Sequence, residues 1–196
     1  KQKKRMKEDS NYINCSIKWM YKDYLKQLQE LGYPVNDYYR YPKNLKEAHD
    51  RISEEYLVMQ NKKRQEVDKE RQAKFEKEFL PRLEKMCWRD NKYLIRPLRN
   101  KEDFNDEGRN NHNCVASYYE SATEGRTSIF VLRKIEAEEE SFVTVEIDLQ
   151  RGELKQCYGK GNILPKKEVK EWVEKWLARM MKKLRKADKA TLKGAA

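Results

Sequence analysis

The stretch covering residues 107–162, EGRNNHNCVASYYESATEGRTSIFVLRKIEAEEESFVTVEIDLQRGELKQCYGKGN, decides how this chain is read. It holds one of the two histidines, two of the four cysteines and five of the seven glycines. Residues 128–133 (SIFVLR) are rich in β-branched and aromatic side chains and predict a strand. Residues 142–149 (FVTVEIDL) alternate apolar and polar, the period of a half-buried strand. The acidic run 136–140 between them is a loop, and Arg151-Gly152 suits a hairpin turn into a further strand over 153–158. With a two-residue turn, Leu149 faces Leu154, Ile147 faces Gln156 and Val145 faces Tyr158. Thr144, Glu146 and Asp148 then share the other face with Lys155 and Cys157, whereas a three-residue turn scrambles both faces. Ahead of the strands, Cys114, Val115, Tyr118, Tyr119 and Ala122 predict a short helix over 112–123, ended near Gly125, with Asn105 or Asp106 opening the turn into it.

Downstream, Val169, Trp172, Val173, Trp176, Leu177, Met180 and Leu184 form the strongest helical stripe in the chain, over 165–185. Two tryptophans on one face argue for packing against the sheet. Upstream, Ile13, Ile17, Met20, Tyr21, Tyr24, Leu28 and Leu31 predict a helix over 10–31, with Ser10 as N-cap and Gly32 past its end. A loop with two prolines and four tyrosines follows (32–42, GYPVNDYYRYP). Asn44 and Glu47 then open a long helix in the manner of a capping box. Leu45, Ala48, Ile52, Tyr56 and Met59 stripe its start, and Phe75, Phe79, Leu83 and Met86 restore the stripe before and after a break at Pro81. Its middle, 60–74, has no apolar period and reads as a solvated, ion-paired helix. Residues 93–98 (YLIRPL) form a short strand pushed toward an edge by Pro97.

The fold class is therefore α+β: a small antiparallel sheet (93–98, 128–133, 142–149, 153–158) covered by helices. A helical, highly charged region over 1–90 precedes the core over 91–185, and 186–196 is a basic tail. The net charge is +11, but 1–7 and 181–196 each carry +5, which leaves +1 for 8–180. Basic ends of this kind add salt-sensitive affinity for phosphates or simply aid solubility. No run approaches the roughly 18 apolar residues of a membrane span. No secretory signal is visible, and the four cysteines have no CxxC pair. They read as reduced thiols in a cytoplasmic protein with no metal or other cofactor. Because Lys1 rather than Met begins the chain, a fragment of a longer protein is one reading of it.

Glu107, Gly108, His112, Cys114, Val115, Tyr118, Thr144, Glu146, Gln156, Gly159, Asn162 and Pro165 together resemble the central pattern of the PcfJ-like family. The upstream YPKNLKEAHD (41–50) resembles that family's lead-in segment, so the likeness covers roughly 10–180. It implies a protein of a bacterial conjugative element or phage, in the host cytoplasm, and carries no assigned reaction.

Seven of the candidate residues belong to one catalytic hypothesis: His112, Cys114, Tyr118, Thr144, Glu146, Gln156 and Asn162. Cys114 falls at an expected helix N-terminus, where unpaired N–H groups stabilise a thiolate, and His112 supplies a base. Glu146 suits acid/base chemistry. The set is similar to the histidine, hydroxyl and Glu/Gln groups that hold nicotinamide in ADP-ribosyl-transferring folds. The plainer reading is a packed cysteine, a capping histidine and a solvated strand face. A second hypothesis places nucleic acid on Lys3, Lys4, Arg5, Lys182, Lys183, Arg185 and Lys186, with Tyr39 and Arg40 as a stacking pair, although tyrosines packing a loop onto helices are the stronger reading of Tyr39. The leading expectation is an accessory protein of a mobile element or phage that binds nucleic acid or a nucleoprotein complex. The alternatives are a small hydrolase or ADP-ribosyl-transfer-like enzyme, and an interaction module that meets a protein partner through the 60–80 helix.

Overall fold

The computed structural model describes the backbone of residues 2–34 and 36–194, and the side chains of 16–34, 36–188 and 190. Contacts divide the chain into two compact units, Lys1–Asp68 and Lys69–Ala196.

In the first unit, helix α1 (Gln2–Glu30) is followed by a one-turn helix α2 (Asp37–Arg40) and the start of helix α3 (Leu45–Glu78). α1 begins upstream of Ser10, because the residues before it (KQKKRMKED) are nearly all good helix formers and give the chain no reason to stop there. It ends as its sequence predicts: Gly32 has φ +78° and Tyr33 N–H reaches back to Leu28 O at 2.9 Å. Asn44 caps α3, accepting from Glu47 N–H at 3.3 Å while its amide donates to the Glu47 carboxylate. Tyr24, Leu28 and Ile52 form a small core. The tyrosine loop closes over it, with Tyr24 Oη donating to Tyr39 O and Tyr21 Oη to Arg40 O, each at 2.8 Å. The apolar stripe fades after Met59, and residues 61–67 are all exposed in consequence.

The second unit is built on a five-stranded antiparallel sheet in the order β1-β2-β3-β4-β5: β1 (Trp88–Arg89), β2 (Tyr93–Pro97), β3 (Ser128–Lys134), β4 (Val143–Asp148) and β5 (Glu153–Gly159). β3 alternates between two cores. Phe130 and Leu132 pack with Phe75, Leu83, Met86 and the buried face of helix α7 (Lys167–Gly194). Ile129 and Val131 pack with Phe104, Val115 and Tyr119 on the opposite face. Phe75 to Met86, assigned from sequence to the N-terminal region, thus supply core to the sheet. Pro81 sits in the first turn of helix α4 (Leu80–Glu84), where the break was expected. No helix among the described residues is long and apolar enough to cross a membrane.

Four features differ from the sequence reading. β1 adds a fifth strand, too short at two residues to show a period. It pairs only with Leu94 and Ile95, so Pro97 lies beyond it and needs no N–H on that side. Residues 105 and 106 are not a turn: helix α5 (Lys101–Asn111) runs through them, capped by Asn100, whose Oδ1 accepts from Asp103 N–H at 2.9 Å. The helix expected over 112–123 is instead a 3-10 turn (Val115–Tyr118) followed by helix α6 (Tyr119–Thr123). Finally, β4 and β5 are joined by a four-residue loop (149–152), with Asp148 Oδ1 accepting from the Gln150 and Arg151 N–H groups at 3.0 Å and Gly152 at φ +76°. A bulge then inserts Lys155, so Ile147 faces Leu154, Glu146 faces Gln156, Val145 faces Cys157 and Thr144 faces Tyr158. Gln156 and Tyr158 therefore stand on the face of Thr144 and Glu146, while Cys157 turns to the core with Val145.

Candidate functional site

The site rests on a polar network that sequence periodicity conceals. One face of α5 carries Phe104, Glu107, Gly108 and Asn111, all buried, with three of the four not apolar side chains. Glu107, only 1% exposed, meets Arg133 of β3 in a buried ion pair, with Arg133 Nη2 at 2.5 Å from Glu107 Oε2. The Ser141 hydroxyl donates to Oε2 and the Thr144 hydroxyl to Oε1, each at 2.8 Å. Asn111 Nδ2 donates to Glu107 Oε1 at 2.9 Å and lies 3.0 Å from Thr144 Oγ1. Asn113 Nδ2 reaches Thr144 Oγ1 at 3.1 Å. Thr144 thus gives its one proton to Glu107 and receives two N–H bonds, which exhausts a hydroxyl. It is a hub that holds α5 to β4.

Above this network lies a cleft with room for about 30 Å³, lined by Cys114, Tyr118, Thr144, Glu146, Gln156, Tyr158 and Asn162 among others. Six of the seven catalytic candidates therefore meet at one place, and the bulge at Lys155 is what brings Gln156 to it. Glu146 is largely buried, accepting from Thr127 Oγ1 at 2.8 Å with Lys155 Nζ 3.8 Å away. Gln156 Nε2 lies 3.5 Å from Tyr118 Oη. Asn162 reaches the cleft from a left-handed position, φ +60°, in a 3-10 turn (Lys160–Asn162) tied down by Gly159 N–H donating to Ile163 O at 2.8 Å. The space suits about one water molecule.

His112 does not line this cleft. It is exposed and occupies the C-cap of α5 in the left-handed region (φ +48°, ψ +50°), with its N–H donating to Gly108 O. Histidine is one of the few side chains that tolerate this conformation. Cys114 is exposed at the N-cap of the 3-10 turn, which is too short to build an appreciable dipole.

The cysteines should separate by accessibility. Burial pushes the Cys157 thiol up to about 11, and burial with a bond to Glu84 pushes Cys87 up to about 12. In a Cys15→Ser background, a thiol reagent near neutral pH should take Cys114 first, Cys87 slowly and Cys157 only on unfolding; equal rates would contradict this packing. The raised values also favour the folded state only while unfolded thiols stay protonated. Their contribution is complete below the ordinary value near 9 and disappears as pH rises through 11–12. Cys157→Ala should therefore lose less of its stability between pH 8 and 10 than the parent, in chemical denaturation (both pH values about one unit or more below the folded-state value).

For the nucleic-acid candidates, Lys182, Lys183, Arg185 and Lys186 are exposed on α7, opposite buried Met181 and Leu184. Among the described residues none of the four makes an ion pair, whereas Asp188 is held by Arg82 at 3.0 Å. Tyr39 is engaged in the loop, its ring 4.9 Å from Tyr33 and 5.0 Å from Tyr38, while Arg40 is exposed. The side chains of Lys3, Lys4 and Arg5 lie outside the described residues. Sequence reasoning named Glu107 only within a pattern and missed Asn111, Asn113, Arg133, Ser141 and Tyr158. An arginine inside the apolar run SIFVLR was the available signal: a charge on a buried strand needs a partner.

A family model described as PcfJ-like protein matches residues 20–174. An uncharacterized protein of Listeria innocua is 32% identical over 166 residues, 83% of this chain and 34% of that protein. The chain spans about a third of the length of that relative. No solved structure matches.

Proposed function

This chain belongs to the PcfJ-like family, and we propose that it is an accessory protein of a bacterial mobile element or phage that binds nucleic acid, alone or within a nucleoprotein complex. The observation that supports this reading is the exposed basic arc Lys182, Lys183, Arg185 and Lys186 on α7, which makes no ion pair among the described residues. Such a helix face neutralises phosphates and releases counterions without reading bases. Four contacts correspond to a log–log salt slope of about −3 to −4 on duplex DNA. The test is fluorescence anisotropy with an arbitrary-sequence duplex across a salt series. Replacing all four cations by glutamine should flatten the slope by about 3 units and leave the thermal midpoint unchanged, because all four side chains are exposed. Truncation at 180 is a poorer test, since it also removes buried Met181 and Leu184. A slope that does not move takes the site off α7; no binding by the parent chain at low salt removes nucleic acid as the ligand.

A second reading is favoured by the convergence of Cys114, Tyr118, Glu146 and Gln156 on one cleft. There an exposed thiol and a buried carboxylate are the reactive groups, and Thr144 is fully occupied by its network. Cys114→Ser should abolish the protein's cellular effect with an unchanged thermal midpoint if this chemistry operates. Retained effect removes the nucleophile.

A further inference from the structure

A groove of about 820 Å³ runs across one end of the sheet, between the starts of β2 and β4, the ends of β3 and β5, and the start of α7. It shares no lining residue with the cleft. Its floor is aromatic. The Tyr93 and Phe142 rings lie within 7° of parallel with centroids 6.1 Å apart. Trp172 supports Tyr93 edge-on at 5.3 Å and is itself fixed by donation from Nε1 to Asp90 at 2.8 Å. One wall presents Ile163 and Leu164, which are 70% and 69% exposed. Two adjacent aliphatic side chains held in water beside a groove are unusual on a surface this charged.

The rim is cationic. Lys92 is matched by Glu168 at 2.9 Å and Lys134 by Glu136 at 3.6 Å. Lys160 and Lys166 also line the groove and make no ion pair among the described residues. Among the lining residues four lysines meet two glutamates, a net excess of two positive charges beside an apolar floor.

We propose that this groove takes unpaired nucleotides of a single-stranded nucleic acid, with bases against Tyr93, Phe142 and the Ile163–Leu164 wall and phosphates on Lys160 and Lys166. The inference rests on the nucleic-acid reading above and names the strand form that reading leaves open. Charge complementarity selects the ligand: a strand offers an apolar face and an anion at each step, which is the pairing of surfaces the groove lacks. A duplex keeps its base faces stacked inside and cannot use the floor.

The test uses the full chain, fluorescein-labelled oligothymidylate and anisotropy, with the equivalent duplex and free dTTP as competitors. Lys160→Glu with Lys166→Glu should weaken oligothymidylate binding about tenfold or more and lower the salt slope by about 1.4, at about 0.7 per phosphate contact on a single strand. Phe142→Leu, which keeps an apolar side chain, should weaken it by about five- to a hundredfold, the loss of one base stack, with a smaller effect on duplex. Three outcomes overturn the proposal: both variants binding as the parent does, duplex competing as well as the single strand, or dTTP competing at the oligomer's own concentration. If the groove variants bind normally while the glutamine set on α7 does not, the groove falls and the nucleic-acid reading stands.

Discussion

Glu107→Ala should lower the stability of the second unit by about 3–5 kcal/mol, the range for leaving one partner of a buried ion pair uncompensated. The side chain of Glu107 is 1% exposed and that of Arg133 9%, so water cannot replace the lost carboxylate. The effect should exceed that of the pair alone, because the Thr144 and Ser141 hydroxyls and the Asn111 amide also lose their acceptor. Asn111 Oδ1, buried without a partner among the described residues, is a single spare acceptor for several orphaned donors, so re-pairing can offset only part of the loss. Out of a typical total of about 5–15 kcal/mol, such a loss is a large fraction. The double variant Glu107→Leu with Arg133→Met should recover the part due to the uncompensated arginine, since apolar replacement removes the buried charge along with its partner, while the loss from the Thr144, Ser141 and Asn111 donors remains. Urea denaturation of Glu107→Leu, Arg133→Met and the double closes the cycle. Additive losses would mean the pair is not coupled, and the ion pair would then not be what ties α5 to β3.

The contrast between this network and the rest of the fold explains what could be read beforehand. α7, β3 and β4 were legible because burial there is achieved by apolar side chains, whose spacing betrays the period of the element. α5 has the same i, i+3, i+4, i+7 buried face, but Glu107, Gly108 and Asn111 fill it, and a hydrophobicity pattern cannot register a face solvated by other protein groups. The cleft was legible as a set of residue types but not as a shape. Gln156 shares the face of Glu146 only because of the bulge at Lys155, and no residue in RGELKQ announces an extra residue in the ladder. His112 shows the reverse. Its place in the pattern suggested a base, yet its backbone sits in the left-handed region that ends α5, a position defined by φ and ψ rather than by side-chain chemistry.

Trp176→Ala should be comparably damaging, and for a reason that separates stability from binding. Trp176 is 3% exposed, packs edge-on against Phe130 at 5.0 Å, and donates from Nε1 to Met86 O at 2.9 Å. Truncating a buried tryptophan costs about 3–5 kcal/mol through lost transfer and an uncollapsed cavity. Leaving the Met86 carbonyl without its donor adds about 1 kcal/mol or more. At roughly 2–4 °C per kcal/mol for a chain of this size, the thermal midpoint of the sheet unit should fall by at least about 8 °C. Trp176→Phe keeps most of the edge contact with Phe130 and should lose about half as much, roughly 1.5–3 kcal/mol, chiefly the hydrogen bond and some volume. Because α7 also carries Lys182, Lys183, Arg185 and Lys186 opposite this core, the proposed nucleic-acid binding should weaken in Trp176→Ala only in proportion to the unfolded fraction. Below its midpoint its salt slope should match the parent's, whereas the glutamine variant should show the reverse pair of results, a flattened slope with an unshifted midpoint. A Trp176→Ala protein that melts normally would mean that α7 is not packed on Phe130 and Met86, and the exposed face assigned to its basic side chains would have to be redrawn.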